Sequence, residues 1–551
     1  MRKSRFSILP GIFLALMMFI NWRWAISEED RSSFAPPVSP GTSEASEDRP
    51  SFAEASEDRP SFAEASEDRP NVLLVVIDTA RKDRFGCYGY GRGTTPNIDK
   101  IAAESVVFDG AITTIPMTTP SHSTIMTGLY PASHLVYRNA YSLDNKFTTL
   151  AEVMKRNGYV TAGFVSTRLV GAANGFSQGF DAFSDLDAED KQLFRTGDIT
   201  TGEALGWLDG NGDKKFFMWL HLYDPHLPYD PPEKFGLEFD PDYKTHIKEE
   251  KNDEESLSSE ALAKESLSSE ALAKEGLSSE ALAKEELTFS GEGIPENKVK
   301  AMRNAYDGEI AFADDLVGKV TDKLKEKGLY DNTAIIITSD HGEILYEKAN
   351  YFGHHKYLYN ASLDVPLIMK FPGVSQKRII PGITGADIMP TLLEYLGIEL
   401  GVKIDGISYW NMIKTGSKIV LPGAYFVFSH TSDGLRLRKP GDNGDKNGAR
   451  PPKDYIFFVQ AFNHAALVED GFKLIITREE LKSVRPELYD LAADPLEQQD
   501  LAANAAYSTI YEKLLKRMEG YFRSMSGVLI KRISRKGDDA DTEKIKSLGY
   551  L

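Results

Sequence analysis

Short, near-continuous apolar runs govern what this chain can fold into. Asn71–Ile77, Phe216–Leu220, Ala334–Ile337 and Pro366–Met369 are hydrophobic at almost every position, so each suits a strand buried on both faces of a sheet. Helical patterns separate them, over residues 97–104, 149–156 and 298–325. Strands alternating with helices predict an α/β fold with a mostly parallel sheet covered on both faces. The 551 residues and 41% hydrophobic content suffice for a large core and about two to four domains.

Two of these runs end in acid. Asp78 follows the first, and Thr338-Ser339-Asp340-His341-Gly342-Glu343 follows the third. In open α/β sheets, ligands bind beyond the carboxyl ends of the strands. Two strand-end carboxylates and the neighbouring imidazole of His341 therefore point at one crevice, where oxygen and nitrogen donors suit Zn²⁺ or Mn²⁺ better than a soft metal. Taken singly, an aspartate after a strand is also an ordinary helix cap or turn residue.

The segment from Met117 to Gly128 reads Met-Thr-Thr-Pro-Ser-His-Ser-Thr-Ile-Met-Thr-Gly. It resembles the signature of the sulfatase family of the alkaline phosphatase superfamily, Cys/Ser-x-Pro-Ser-Arg followed by a short helix and Thr-Gly. Five further segments are similar to the family's, in the same order. They are Asn71 to Tyr90, with the first strand and metal loop; Asp224-Pro225-His226-Leu227-Pro228-Tyr229; Ser339 to Glu343; Val365 to Ile368; and Glu487 to Pro495. The resemblance runs from about residue 71 to 500, interrupted near 245–290. It implies an alkaline-phosphatase-like α/β sandwich with a smaller C-terminal α+β subdomain. It also implies one divalent metal ion (zinc, manganese or calcium) held by Asp78, Asp340 and His341. A second ion at Asp224, His226 and His354 is less favoured, because the usual Asp-x-x-x-His spacing of two-metal members is absent.

By the same resemblance Thr118 stands at the nucleophile position, where sulfatases carry a cysteine or serine oxidised to formylglycine. A threonine has a methyl on Cβ and cannot become that aldehyde. Threonine is the nucleophile of phosphodiesterase and phosphoethanolamine transferase members of the superfamily, so the resemblance implies phosphoester chemistry through a covalent intermediate. The helix beginning near Ser121 would aim its N-terminal amides at the anion. His226 and His354 would hold equatorial oxygens or protonate the leaving group. His122, in place of the motif's arginine, and Asn139, His355 and Lys356 would contact substrate. Thr79 stands in for the second aspartate of the metal loop, and Ser166 and Arg168 for a Lys-x-His pair.

The rest of the chain bears on location and organisation. Arg2, Lys3 and Arg5 precede an apolar run to Ile20, then Trp22 and Trp24, the pattern of a signal sequence or short membrane anchor within about residues 1–30. An exported protein on the periplasmic or extracellular face follows from it. Residues 31–70 carry a decamer repeat rich in proline, serine and acid, which reads as a disordered stalk. A second decamer repeat fills 255–284, with leucines every five residues. Each leucine then moves by roughly 140° around a helix, which leaves no apolar stripe and predicts an exposed insertion. The catalytic domain is expected over 71–415, the C-terminal subdomain over 416–526 and a flexible tail over 527–551. The formal net charge of −18 argues against nucleic-acid partners. The lone Cys87 excludes an intrachain disulfide. The expected activity is metal-dependent hydrolysis of a small-molecule, lipid or glycan ester of phosphoric or sulfuric acid. The alternatives are a cell-envelope headgroup transferase, or sulfatase activity without formylglycine.

Overall fold

A computed structural model describes residues 69–139, 141–186, 193–244, 289–290, 294–348, 350–354, 357–415, 424–429, 464–469, 471–479 and 483–518. The N-terminal segment, the stalk, the repeat insertion and the tail lie outside the described residues, as do His355 and Lys356. The chain divides into two compact units, one of residues 69–477 with 486–514, the other of 1–68 with 478–485 and 515–551. All described site residues lie in the first. Among the described residues no helix is long and apolar enough to cross a membrane.

The strands are β1 (Asn71–Ile77), β2 (Val106–Ile112), β3 (Val160–Val165), β4 (Ala182–Ser184), β5 (Phe216–Leu222), β6 (Phe289–Ser290), β7 (Thr333–Thr338), β8 (Ile344–Leu345), β9 (Tyr351–Gly353), β10 (Leu367–Lys370), β11 (Lys377–Thr384), β12 (Ala424–Ser429), β13 (His464–Glu469), β14 (Phe472–Glu479) and β15 (Ser483–Asp490). The main helices are α1 (Pro96–Ala102), α2 (Thr118–Thr127), α3 (Leu150–Arg156), α4 (Gly197–Asn211), α5 (Glu233–Phe239), α6 (Glu296–Glu326) and α7 (Gly385–Tyr395). Eight strands form the central sheet in the order β11-β2-β10-β7-β1-β5-β3-β4. Pairing is parallel except at β10, which runs antiparallel to both β7 and β2. This is the expected α/β architecture with a mostly parallel sheet.

The continuous apolar runs are explained by the two layers they separate. Successive side chains of a strand point to opposite faces. Leu73, Val75 and Ile77 of β1 pack with α1, α4, α5 and α6 residues such as Ile98, Leu208, Phe235 and Leu316. Val72, Leu74 and Val76 pack on the other side with Ile125 of α2, Val153 of α3 and Leu392 of α7. A strand buried on both faces cannot alternate polar with apolar residues. A three-stranded sheet, β6-β9-β8, and a four-stranded sheet, β12-β13-β14-β15, complete the described strands.

Polar side chains lock helix ends to this frame. Thr149 and Glu152 form a reciprocal capping box on α3. Asp314, on α6, accepts from the N–H groups of Asn97 (3.0 Å) and Ile98 (2.7 Å) at the start of α1, satisfying donors that have no partner within that helix.

Candidate active site

Strand register assembles the site. Val76 of β1 pairs with Thr338 of β7 on one side and His221 of β5 on the other, so the residues just beyond β1 and β7 share one sheet edge. There, one donor atom each from Asp78, Asp340 and His341 lie within 4.8 Å of one another, all three residues being buried. Asp340 Oδ1 accepts from the backbone N–H of Thr79 (3.2 Å) and of His341 (2.8 Å). Its buried Oδ2 accepts no hydrogen bond among the described residues. Burial pushes the Asp340 carboxyl above its usual range, with His122 pulling the other way. His341 Nδ1 donates to Gly342 O at 3.1 Å, and burial pushes the ring down to about 3. The imidazole is therefore neutral, with its lone pair on Nε2. An orphaned carboxylate oxygen beside a pre-oriented imidazole is a donor set that fits a divalent cation.

Thr79, in the same loop, has φ +54°, an outlier for a β-branched residue. Its carbonyl accepts from Tyr306 Oη at 2.7 Å, and that hydroxyl accepts from Arg81 N–H at 3.0 Å. A side chain of α6 thus clamps the strained loop, the kind of over-determination such a conformation needs.

Thr118 is the first residue of α2, so the helix starts three residues before the expected Ser121. Pro120 does not delay it, because first-turn N–H groups have no intrahelical acceptor and proline forfeits nothing there. Thr118 is fully buried, and its Oγ1 lies 3.5 Å from His341 Nε2. Asn139 Oδ1 accepts from Thr119 N–H at 2.9 Å, which caps the turn carrying Thr118. One helical turn on, His122 Nδ1 donates to Thr118 O at 2.9 Å and lies 3.5 Å from Asp340 Oδ2. Its ring packs against Phe176, Trp219 and His221, and burial lowers its basicity. His122 and Asn139 thus both hold the turn that carries Thr118.

A row of imidazoles lines the site. His354 lies 4.2 Å from His341 and 5.1 Å from His226, centroid to centroid. His226 Nδ1 donates to Leu227 O at 2.6 Å, and His354 Nδ1 donates to Glu343 Oε1 at 3.1 Å. With Nδ1 so engaged, Nε2 is the nitrogen left to accept when the ring is neutral and to donate when it is protonated. Asp224 stands elsewhere. Its Oδ1 accepts from Gly197 N–H at 2.8 Å, at the start of α4, and among the described residues the clustered donors are Asp78, Asp340 and His341 alone.

Two residues of this site were given no role in the sequence reading. Glu343 was visible within Asp340-His341-Gly342-Glu343, but its bond to His354 spans a loop that spacing cannot close. The apolar run from Phe216 is read only to Leu220 in the sequence, whereas β5 continues through His221 to Leu222. A histidine between Leu220 and Leu222, within an otherwise apolar run, is the available signal.

A sulfatase family model matches residues 70–398. The multifunctional alkaline phosphatase superfamily protein PehA of Trinickia caryophylli is 26% identical over 80% of this chain and 92% of its own length. Arylsulfatase K of Bos taurus is 26% identical over 79% of this chain and 78% of its own. Among solved structures, the phosphonate monoester hydrolase of Agrobacterium radiobacter superposes with a TM-score of 0.60 at 23% identity, over 83% of this chain and 96% of that one. A protein solved with D-glucosamine-2-N,6-O-disulfate as its substrate gives 0.61 at 21% identity, over 82% and 97%. The family model covers well over half the chain, including every described residue of the donor cluster and the Thr118 turn: this protein belongs to the sulfatase family of metal-dependent ester hydrolases.

Proposed function

We propose that the protein hydrolyses phosphoric esters in preference to sulfuric esters, with Thr118 as a covalent nucleophile. The observation that carries this reading is the placement of Thr118 Oγ1, at the first residue of α2 and 3.5 Å from His341 Nε2. The positive end of the α2 dipole lies beside it, which favours an anionic substrate. A divalent ion bound by Asp78, Asp340 and His341 would supply Lewis-acid stabilisation of the threonine alkoxide and of the ester oxygen. The chain's own groups do the remainder. Asn139 and His122 hold the nucleophile turn, while His226 and His354 bind the equatorial oxygens or protonate the leaving alcohol. Thr118 Oγ1 forms the bond to phosphorus as the alcohol leaves, and water then attacks phosphorus in line to release phosphate and regenerate the hydroxyl.

The methyl on Thr118 Cβ disfavours sulfate as the substrate. Sulfatases expel sulfate through a hydrated aldehyde that a threonine cannot form, so a sulfo-threonine would require direct attack at sulfur. The names of the similar proteins cover sulfur and phosphorus centres, arylsulfatase and phosphonate monoester hydrolase. Rates on paired aryl phosphate, aryl phosphodiester and aryl sulfate substrates decide between them. Faster phosphoester turnover, lost in Thr118→Ala, supports the proposal, and faster sulfate turnover lost in the same variant keeps the site but overturns the preference. We further propose that the N-terminal segment exports the protein and that residues 31–70 space it from a membrane. Membrane fractionation of the full chain against one beginning at residue 69 tests that.

A further inference from the structure

We infer that His221 is a positioning residue for the metal site, holding the Asp78 carboxylate in its ligating orientation from the neighbouring strand. This rests on the Asp78–Asp340–His341 reading and extends it to a residue in none of the family segments recognised above. His221 Nε2 lies 3.3 Å from Asp78 Oδ2, both side chains being fully inaccessible to solvent. On the far side of the ring, the backbone N–H of Ser166 donates to Nδ1 at 3.4 Å. A nitrogen that accepts a hydrogen bond carries a lone pair, so the ring proton sits on Nε2, the atom facing Asp78.

The backbone reinforces this. Asp78 N–H donates to Leu222 O at 2.8 Å, so the residue after His221 fixes the main chain of Asp78 while His221 reaches its side chain. Ser166 is anchored in turn, its Oγ donating to His221 O at 2.8 Å and lying 2.8 Å from Thr200 Oγ1 on α4. Packing alone does not account for the imidazole. The ring is fully buried beside those of His122 and Trp219, and a buried polar ring is unfavourable unless it has polar partners. Outer-shell donors of this kind orient a ligating group, and their loss typically weakens metal binding about 10–100-fold.

The test compares two polar replacements that differ in reach. A glutamine amide occupies the place of histidine Nε2 and can still donate to Asp78, whereas an asparagine amide occupies the place of Nδ1 and cannot. Zn²⁺ and Mn²⁺ are titrated separately into metal-free protein, with the dissociation constant read by calorimetry and the melting temperature of the metal-free form recorded alongside. His221→Asn should raise the dissociation constant about 10–100-fold while His221→Gln stays within about threefold of the parent, the two metal-free melting temperatures being alike. Equal affinities in the two folded variants overturn the assignment. Asp340→Asn is the control. If it leaves metal binding unchanged, the triad reading itself fails, an outcome distinguishable from a triad that binds metal with no help from His221.

Discussion

The backbone N–H of Thr119 donates to Asn139 Oδ1 at 2.9 Å, and the carbonyl of Asn139 accepts from Thr119 Oγ1 at 3.2 Å. A loop residue twenty positions away thus closes the first turn of the helix that carries Thr118. Removing a side-chain cap of this type costs about 0.5–2 kcal/mol. Asn139→Ala should lower stability by that order and reduce kcat more than it changes KM, because the turn it frees carries Thr118, the proposed nucleophile. Thermal unfolding and steady-state kinetics of the same preparation check both. An unchanged kcat with a raised KM would return Asn139 to the substrate-contact role first expected of it.

Chelation should abolish turnover and lower the melting temperature. The buried carboxylates of Asp78 and Asp340 lie among donors clustered within 4.8 Å, and like charges so close repel without a cation between them. Restoration by Zn²⁺ or Mn²⁺, and its absence in Asp340→Asn, is the expected result, read by activity and thermal shift in parallel. A melting temperature indifferent to chelation and to metal would contradict it.

The extent of what was legible in the sequence follows a physical line. Covered strands must be apolar throughout, and ligands gather at their carboxyl ends, so β1, β7, Asp78 and Asp340 could be read directly. The start of α2 falls at Thr118 rather than near Ser121, because proline is well suited to a helix's first turn. The partner of His221 and the capping role of Asn139 were not legible. Each depends on a partner across the fold, Asp78 for one and Thr119 for the other, and neither pairing leaves a periodic trace. The N-terminal and insertion repeats have clear composition, but their conformation lies outside the described residues, together with His355 and Lys356.

Lys473 and Glu497 form an ion pair at 2.7 Å with side chains 0% and 1% exposed. Asn360 bridges them, its N–H donating to Glu497 Oε2 at 2.6 Å and its Oδ1 accepting from Lys473 at 2.9 Å. Breaking a buried pair from one side strands a charge, which typically costs about 3–5 kcal/mol. Lys473→Met should destabilise by that order, and Lys473→Met with Glu497→Gln by less than the sum of the single changes. Additive losses in chemical denaturation would show that the pair is not coupled.

Asp224 gives the pH dependence a sign. Burial pushes its carboxyl up to about 6, against 3.8 for a freely solvated aspartate, with Gly197 N–H opposing. The folded state therefore holds this proton more tightly than the unfolded chain. Its stabilising contribution is complete below about pH 4 and is lost as pH rises through about 6, by at most roughly 3 kcal/mol. Asp224→Asn lacks that titration. The stability of the variant minus that of the parent should climb between pH 4 and about 6.5 and then level off. A flat difference across that window would mean that the carboxyl ionises normally in the fold.

Trapping the intermediate on Thr118 tests the central claim most directly. The parent enzyme, quenched in acid during turnover of a slow aryl phosphoester, should yield a peptide spanning residues 113–129 that carries one phosphate, fragmenting to place it on Thr118. The adduct should disappear in Thr118→Ala together with turnover. Rapid phosphoester hydrolysis by Thr118→Ala, or a phosphate found on another side chain, would contradict the account.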